Sequence, residues 1–360
     1  MIQKRRQSAV GFCRGGTRGS SLFSSWQLKR ILYIFIIMNE ELIFWLLNSN
    51  PWTEYRTRLD LLNESPDSPQ VRSARQQMVT HPLVTSIVEE LALWPGTVIS
   101  SHKSAGQFFH KLSFLADLGF KQQDSGISII IEKILAHISA EGPFQLQANI
   151  PVHFGGTGQD QYAWALCDAP IIVYSLAKLG LLNDERVVKA KDYLMSLGRL
   201  NGYPCVVSKE LGKFRGPGKK DDPCPYATLI MLKLMNLSEA DKTSDFANQS
   251  IESLLNLWKE SKVKHPYMFF MGTDFRKLKA PFIWYDILHV ADTLSNFPQA
   301  IKKHDFISMT DLIQHKADLH GRYTPESEWK AWKDWDFGQK KTPSPWLTFL
   351  ASRLLSRCDR

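Results

Sequence analysis

The sequence predicts an all-α protein, an α/α toroid of stacked helical hairpins with a period of about sixty residues. Three observations predict it: apolar residues at helical spacing, glycines that recur at matching intervals, and long polar connections that alternate with short ones. Phe108, Leu112, Leu115 and Leu118 fall on one helix face, three or four positions apart. The same spacing joins Ala165, Ile172, Leu176 and Leu179, then Leu229, Leu232 and Met235, then Leu288, Ala291 and Leu294. Strand-like alternation of any length is hard to find.

Glycines divide these helices into units. Leu118-Gly119 and Leu179-Gly180 each end a helix, 61 residues apart, and each glycine suits a left-handed C-cap. A further helix follows each, closing at Glu141-Gly142, at Asn201-Gly202 and at His320-Gly321. Gly142 and Gly202 lie 60 residues apart, and Gly202 and Gly321 lie 119 apart, nearly two periods, with a unit from Pro225 to Lys262 in the gap. Hairpins of this kind bury their apolar faces by stacking. The long charged connection from Lys213 to Asp222 leads into one helix, whereas Leu181 to Asp184 is a short link. Functional material gathered on one set of loops suits a closed ring with a central pocket, an open solenoid being the alternative.

Charge is uneven along the chain. Residues 1–37 hold Lys4, Arg5, Arg6, Arg14, Arg18, Lys29 and Arg30 and no acid, which leaves 37 basic against 36 acidic residues in the remainder. The net charge of +8 therefore argues for no nucleic-acid partner. Residues 1–37 read as a basic extension, disordered or not native, with Met38 as the natural start, although their composition also fits an organelle transit peptide. Residues 38–360 read as one toroid domain. The run Ile31 to Ile37 is too short to span a membrane. Five cysteines at irregular spacing, Cys13, Cys167, Cys205, Cys224 and Cys358, make no disulfide framework, so the expectation is a cytoplasmic protein.

Asp222-Pro223-Cys224 is followed sixty-five residues later by His289 in Asp286-Ile287-Leu288-His289. A carboxylate, a thiolate and an imidazole make a three-ligand zinc set with one position open for catalysis. Asp286, one turn before His289, would orient it. The structural alternative makes Asp222 a helix N-cap with Pro223 in the first turn, and His289 a hydrogen-bonded core residue.

These strings resemble the protein prenyltransferase beta subunits. The segment from Gly212 through Arg215, Lys219, Asp222 and Cys224 to Tyr226 resembles that family's cationic loop and Asp-x-Cys zinc pair. Asp286 to His289 resembles its Asp-x-x-His, and His153-Phe154-Gly155-Gly156 its His-Gly-Gly element. Gly321-Arg322-Tyr323 and the stretch from Trp346 to Leu350 are similar to the wider squalene cyclase repeat superfamily, so the resemblance spans residues 140–355. Pro225 separates Cys224 from Tyr226, where the family has none, and Arg215 lies one residue further from Asp222 than the family pattern places it. The resemblance implies an α/α toroid, zinc on Asp222, Cys224 and His289, and a diphosphate held by His153, Arg215, Lys219 and Tyr226. It also implies a transferase acting on an isoprenoid diphosphate, and leaves a partner subunit open. Trp164, Trp284 and Tyr285 would wall the pocket for the isoprenoid or other apolar small molecule. Trp329, Trp332 and Trp335, at helical spacing, would form a buried stripe. A non-catalytic helical-repeat protein with a concave lipid or partner site is the second reading, and a glycan-processing toroid the third.

Overall fold

The structure is a computed structural model that describes residues 40–214, 221–262 and 272–358. Residues 1–37, Arg215 and Lys219 lie outside the described residues. The chain is mostly helical. Its helices are α1 (40–47), α2 (Pro51–Asp60), α3 (Pro69–Val79), α4 (Pro82–Leu91), α5 (Phe108–Leu118), α6 (Ile127–Leu135), α7 (Ala169–Leu176) and α8 (Glu185–Ser196). There follow α9 (Pro225–Met235), α10 (Glu239–Lys242), α11 (Asp245–Glu260), α12 (Ile287–Leu294), α13 (Pro298–Ile301), α14 (His304–Gln314) and α15 (Pro345–Cys358). Among the described residues the one sheet is a two-stranded antiparallel pair, β1 (Leu146–Ala148) with β2 (Gln161–Ala163). No helix of the described residues is long and apolar enough to cross a membrane.

Two kinds of helix alternate. In α7, α9 and α12 every residue is buried, as an all-round apolar helix must be, whereas α8 buries only Val187, Ala190 and Leu194 and α14 one similar stripe. The buried helices pack in succession, α5 on α7, α7 on α9, α9 on α12, α12 on α15 and α15 on α2. The half-buried helices lie against them, α8 on α7, α11 on α9 and α14 on α12. The starts of α5, α7, α9, α12 and α15 fall roughly sixty residues apart. A long connection leads into each of α7, α9, α12 and α15, and shorter ones lead out. Gly119 ends α5 at φ 102°, a left-handed cap that its lack of Cβ permits.

Backbone and side-chain contacts repeat with the helices. The Cys224 amide donates to the Tyr203 carbonyl at 2.6 Å, and the Tyr203 amide to Thr228 Oγ1 at 3.1 Å. One hundred and twenty residues on, Ser344 donates to the Tyr323 carbonyl at 2.9 Å and Tyr323 to Thr348 Oγ1 at 2.9 Å. Cys224 and Ser344 thus occupy the same slot, and each caps its helix: Ala227 N donates to Cys224 Sγ at 3.4 Å and Leu347 N to Ser344 Oγ at 3.1 Å. Asp222 is not the cap, because α9 begins only at Pro225.

The tryptophan stretch departs from expectation. Only Lys330–Trp332 is helical there, as a 3-10 turn, and Trp335 N and Gly338 N continue with bonds to Trp332 O and Trp335 O. A Cβ on Gly338 would stand 2.0 Å from the Trp332 carbonyl, so that glycine lets the chain fold back instead of extending an α-helix. Phe114 of α5 meets Trp332, Trp335 and Trp346 edge-on, at 4.9, 5.0 and 5.9 Å between ring centroids.

At the C-terminal ends of the buried helices the polar groups are paired. Lys233 of α9 donates to Asp117 of α5 at 2.7 Å, and Tyr174 of α7 donates to the same carboxylate at 2.5 Å. Burial would raise the Asp117 pKa, but the Lys233 ammonium holds it below the usual range. Arg353 of α15 donates to Asp292 of α12 at 2.8 Å, with Arg357 at 3.2 Å and Asp60 of α2 at 3.5 Å from Arg353.

Candidate functional site

The opposite ends of α5, α7, α9 and α12 carry a different set of groups, each in or beside a first helical turn. Asp168 precedes α7 and accepts from His102 Nε2 at 2.7 Å. His110, in the first turn of α5, donates from Nε2 to the His102 carbonyl at 2.8 Å. Tyr226, the second residue of α9, lies near Asp168 and Cys167 and stacks on Trp284 at 3.8 Å. The carbonyl of Trp284 accepts from His289 Nδ1 at 2.8 Å, and Phe282 stacks on the His289 ring at 4.6 Å with 4° between planes. These groups place the starts of the four helices near one another, α5 with α7 through His102 and α9 with α12 through Trp284.

Several of these groups are buried with one polar atom left over. His110 Nδ1, His289 Nε2, Tyr226 Oη, Asp286 Oδ2 and Trp164 Nε1 have no hydrogen-bond partner among the described residues. Because the other nitrogen of each histidine donates to a carbonyl, the spare nitrogen carries a lone pair. Burial pulls the pKa of each down to about 3, and the Lys233 ammonium opposes charge on both. Both imidazoles are thus neutral acceptors at neutral pH. Burial lifts the Asp286 carboxyl to about 7 against two backbone amides, Leu288 N and His289 N, which donate to its Oδ1 at 3.0 and 2.9 Å. Asp286 is the N-cap of α12, so its bond to His289 is through the backbone and not the ring.

The expected zinc ligands do not gather. Among the described residues no three His, Cys, Asp or Glu side chains are placed to hold a metal ion. Cys224 is buried against Cys167 and Cys205, whereas Asp222 lines a surface cleft of about 730 Å³ with Asn201, Pro223 and Asn248. His289 faces the interior near Lys233. The start of α9 at Pro225 explains the split: Cys224 turns inward as the cap while Asp222, two residues earlier, remains on the incoming loop.

The remaining expected residues divide. His153 sits exposed on a 3-10 turn, Val152–Phe154, and that loop lies beside the cationic one, since Lys213 N donates to the Gly155 carbonyl at 2.8 Å. Trp284 and Tyr226 belong to the cluster. Trp164 is buried with its edge on Tyr193, and Tyr285 meets Phe275 edge-on at 5.1 Å. His102, His110 and Asp168 were missed in the sequence. Asp168 stands just ahead of α7 with Pro170 in its first turn, and an acid followed by a helix-opening proline is the signal that would have found it. No protein-family model matches the chain, and no curated protein matches it.

Proposed function

We propose that the chain is an α/α toroid of the kind the prenyltransferase and squalene cyclase proteins have, with its site at the first turns of α5, α7, α9 and α12. We propose also that it transfers an isoprenoid group from an isoprenoid diphosphate to an acceptor carrying a hydroxyl or thiol. The observation that carries this reading is His289, a buried neutral imidazole clamped by Phe282 and the Trp284 carbonyl, with a free lone pair on Nε2. A base of this kind accepts a proton in a fixed direction. The acceptor X–H gives its proton to Nε2, X bonds to the first carbon of the allylic chain, the carbon–oxygen bond breaks, and diphosphate leaves with the electron pair. Trp284 and Phe282 supply aromatic faces beside that carbon, where positive charge develops. The starts of four helices favour the departing anion, and the adjoining loops of His153 and Lys213 offer it further donors. No step uses zinc, because Asp222, Cys224 and His289 face different surroundings.

The test is the melting temperature with farnesyl diphosphate, inorganic diphosphate and farnesol, followed by diphosphate release with a thiol or alcohol acceptor. Farnesyl diphosphate should raise the melting temperature more than either fragment does. His289→Gln should keep that shift while slowing diphosphate release, by about a hundredfold at most because an imidazole whose pKa is about 3 is a weak base. No shift with any of the three compounds defeats the isoprenoid reading.

A further inference from the structure

Cys167, Cys205 and Cys224 come from three segments that the backbone draws together. The Leu166 amide donates to the Val206 carbonyl at 2.9 Å, Ala165 bridges Val207, and Cys224 N donates to the Tyr203 carbonyl at 2.6 Å. The antiparallel pairing of Ala165 with Val207 sets Cys167 across from Cys205, and the bond from Cys224 to Tyr203 brings the start of α9 beside them. Cys224 is 9% exposed, and Cys167 and Cys205 are half-buried, so the cluster lies just beneath the surface.

Capping alone does not account for a cysteine in this place. Ser344 fills the equivalent slot before α15, and serine is among the preferred N-caps whereas sulfur is a weak acceptor. What sulfur adds is nucleophilicity, which a thiolate at a helix N-terminus retains. Ala227 N already donates to Cys224 Sγ. The neighbouring Cys167 and Cys205, with that amide, lower the Cys224 pKa against the burial that would raise it.

We infer that the three cysteines form a peroxide-reactive dithiol site, in which Cys224 is the attacking sulfur and Cys167 or Cys205 resolves it into a disulfide. Cys224 thiolate attacks one oxygen of a hydroperoxide, the O–O bond breaks, and the departing hydroxide or alkoxide takes up a proton. The sulfur is now a sulfenic acid. The neighbouring thiol then loses its proton, its sulfur bonds to Cys224 Sγ, and the S–O bond breaks to release water. With hydrogen peroxide the sum is two thiols and one peroxide giving one disulfide and two waters. The protein is oxidised by two electrons and the peroxide reduced by the same two. A small oxidant suits the limited exposure of Cys224.

The experiment treats the full-length reduced protein with one equivalent of hydrogen peroxide, blocks the remaining thiols and maps disulfides by peptide mass spectrometry. A Cys224–Cys167 or Cys224–Cys205 link, formed at least tenfold faster than free cysteine oxidises at the same pH, is the expected result. The double variant Cys167→Ser with Cys205→Ser should stop at a sulfenic acid on Cys224 that a dimedone-type reagent traps. Cys224→Ser, which keeps a capping side chain as Ser344 does, should lose both signals. Oxidation of Cys224 no faster than free cysteine overturns the inference, as does a disulfide confined to Cys13 or Cys358. Stoichiometric zinc that shields all three thiols overturns it too. The wild-type disulfide map stands even if a variant fails to fold. It is independent of any isoprenoid assay.

Discussion

The two ends of the buried helices treat polar groups in opposite ways. At the C-terminal ends, Asp117 is bound by Lys233 and Tyr174, and Asp292 by Arg353. At the N-terminal ends, His110, His289 and Tyr226 each keep one buried atom without a partner among the described residues. A buried group left unpaired costs about 1–3 kcal/mol, so three together are a substantial burden on one end of the fold. The difference teaches where stability and chemistry are separated. Ion pairs join α5 to α9 and α15 to α2 and α12 at one end, with the Tyr174 hydroxyl adding α7, which leaves the other free to hold groups that a fold built only for stability would satisfy or remove.

The largest expected effect lies at the paired end. Lys233→Ala leaves the half-buried Asp117 carboxylate with Tyr174 alone and should cost about 2–3 kcal/mol in urea denaturation. A loss under about 1 kcal/mol would mean that water replaces the ammonium, and the contrast between the two ends would fail. Acidification comes next and tests the other end. His110 and His289 have folded pKa values near 3, below the ordinary 6.5, so their support is complete above pH 6.5 and lost as pH falls toward 3. Asp286, raised to about 7 from 3.8, acts oppositely: its support is complete below about pH 4 and lost as pH rises through 7. Between pH 7 and 4.5 the two histidines outweigh the one acid, and the wild type should melt lower at pH 4.5. His289→Gln should flatten that slope; an unchanged slope would show that His289 is protonated without cost.

Smaller effects sharpen the comparison. Ser344→Ala removes the oxygen that caps α15 and should cost about 1 kcal/mol, whereas Cys224→Ser exchanges one cap for another and should stay within about 0.5 kcal/mol. Calorimetric melting of the two variants checks the equivalence of their slots. A comparably small change is expected at Tyr226→Phe. Its hydroxyl is buried with no partner among the described residues, so removal should be neutral or slightly stabilising, within about 1 kcal/mol. A clear loss there would reveal a partner for that oxygen.

Much of the fold was legible because its signals are local. Helical spacing and Gly119 marked α5 and its end, and the period of about sixty residues matches the starts of the buried helices. The same spacing misled at Trp329, Trp332 and Trp335, because a three-residue interval also fits successive 3-10 turns. The site was less legible. Asp222 and Cys224, two residues apart, read as partners, yet the helix start between loop and core sends them to different surroundings. The thiol cluster was hidden for the converse reason. Cys167, Cys205 and Cys224 lie far apart in the chain, and only the pairing of Leu166 with Val206 and of Cys224 with Tyr203 brings them together.

The slot shared by Cys224 and Ser344 has a consequence for how such a chain diversifies. The position ahead of a buried helix is fixed by backbone bonds to a tyrosine one loop earlier, and those bonds are indifferent to the side chain. An oxygen there anchors a helix; a sulfur there adds reactivity at the same address. A one-letter change at a cap can therefore give or remove chemistry in one unit while its neighbours, and the frame they share, stay as they are.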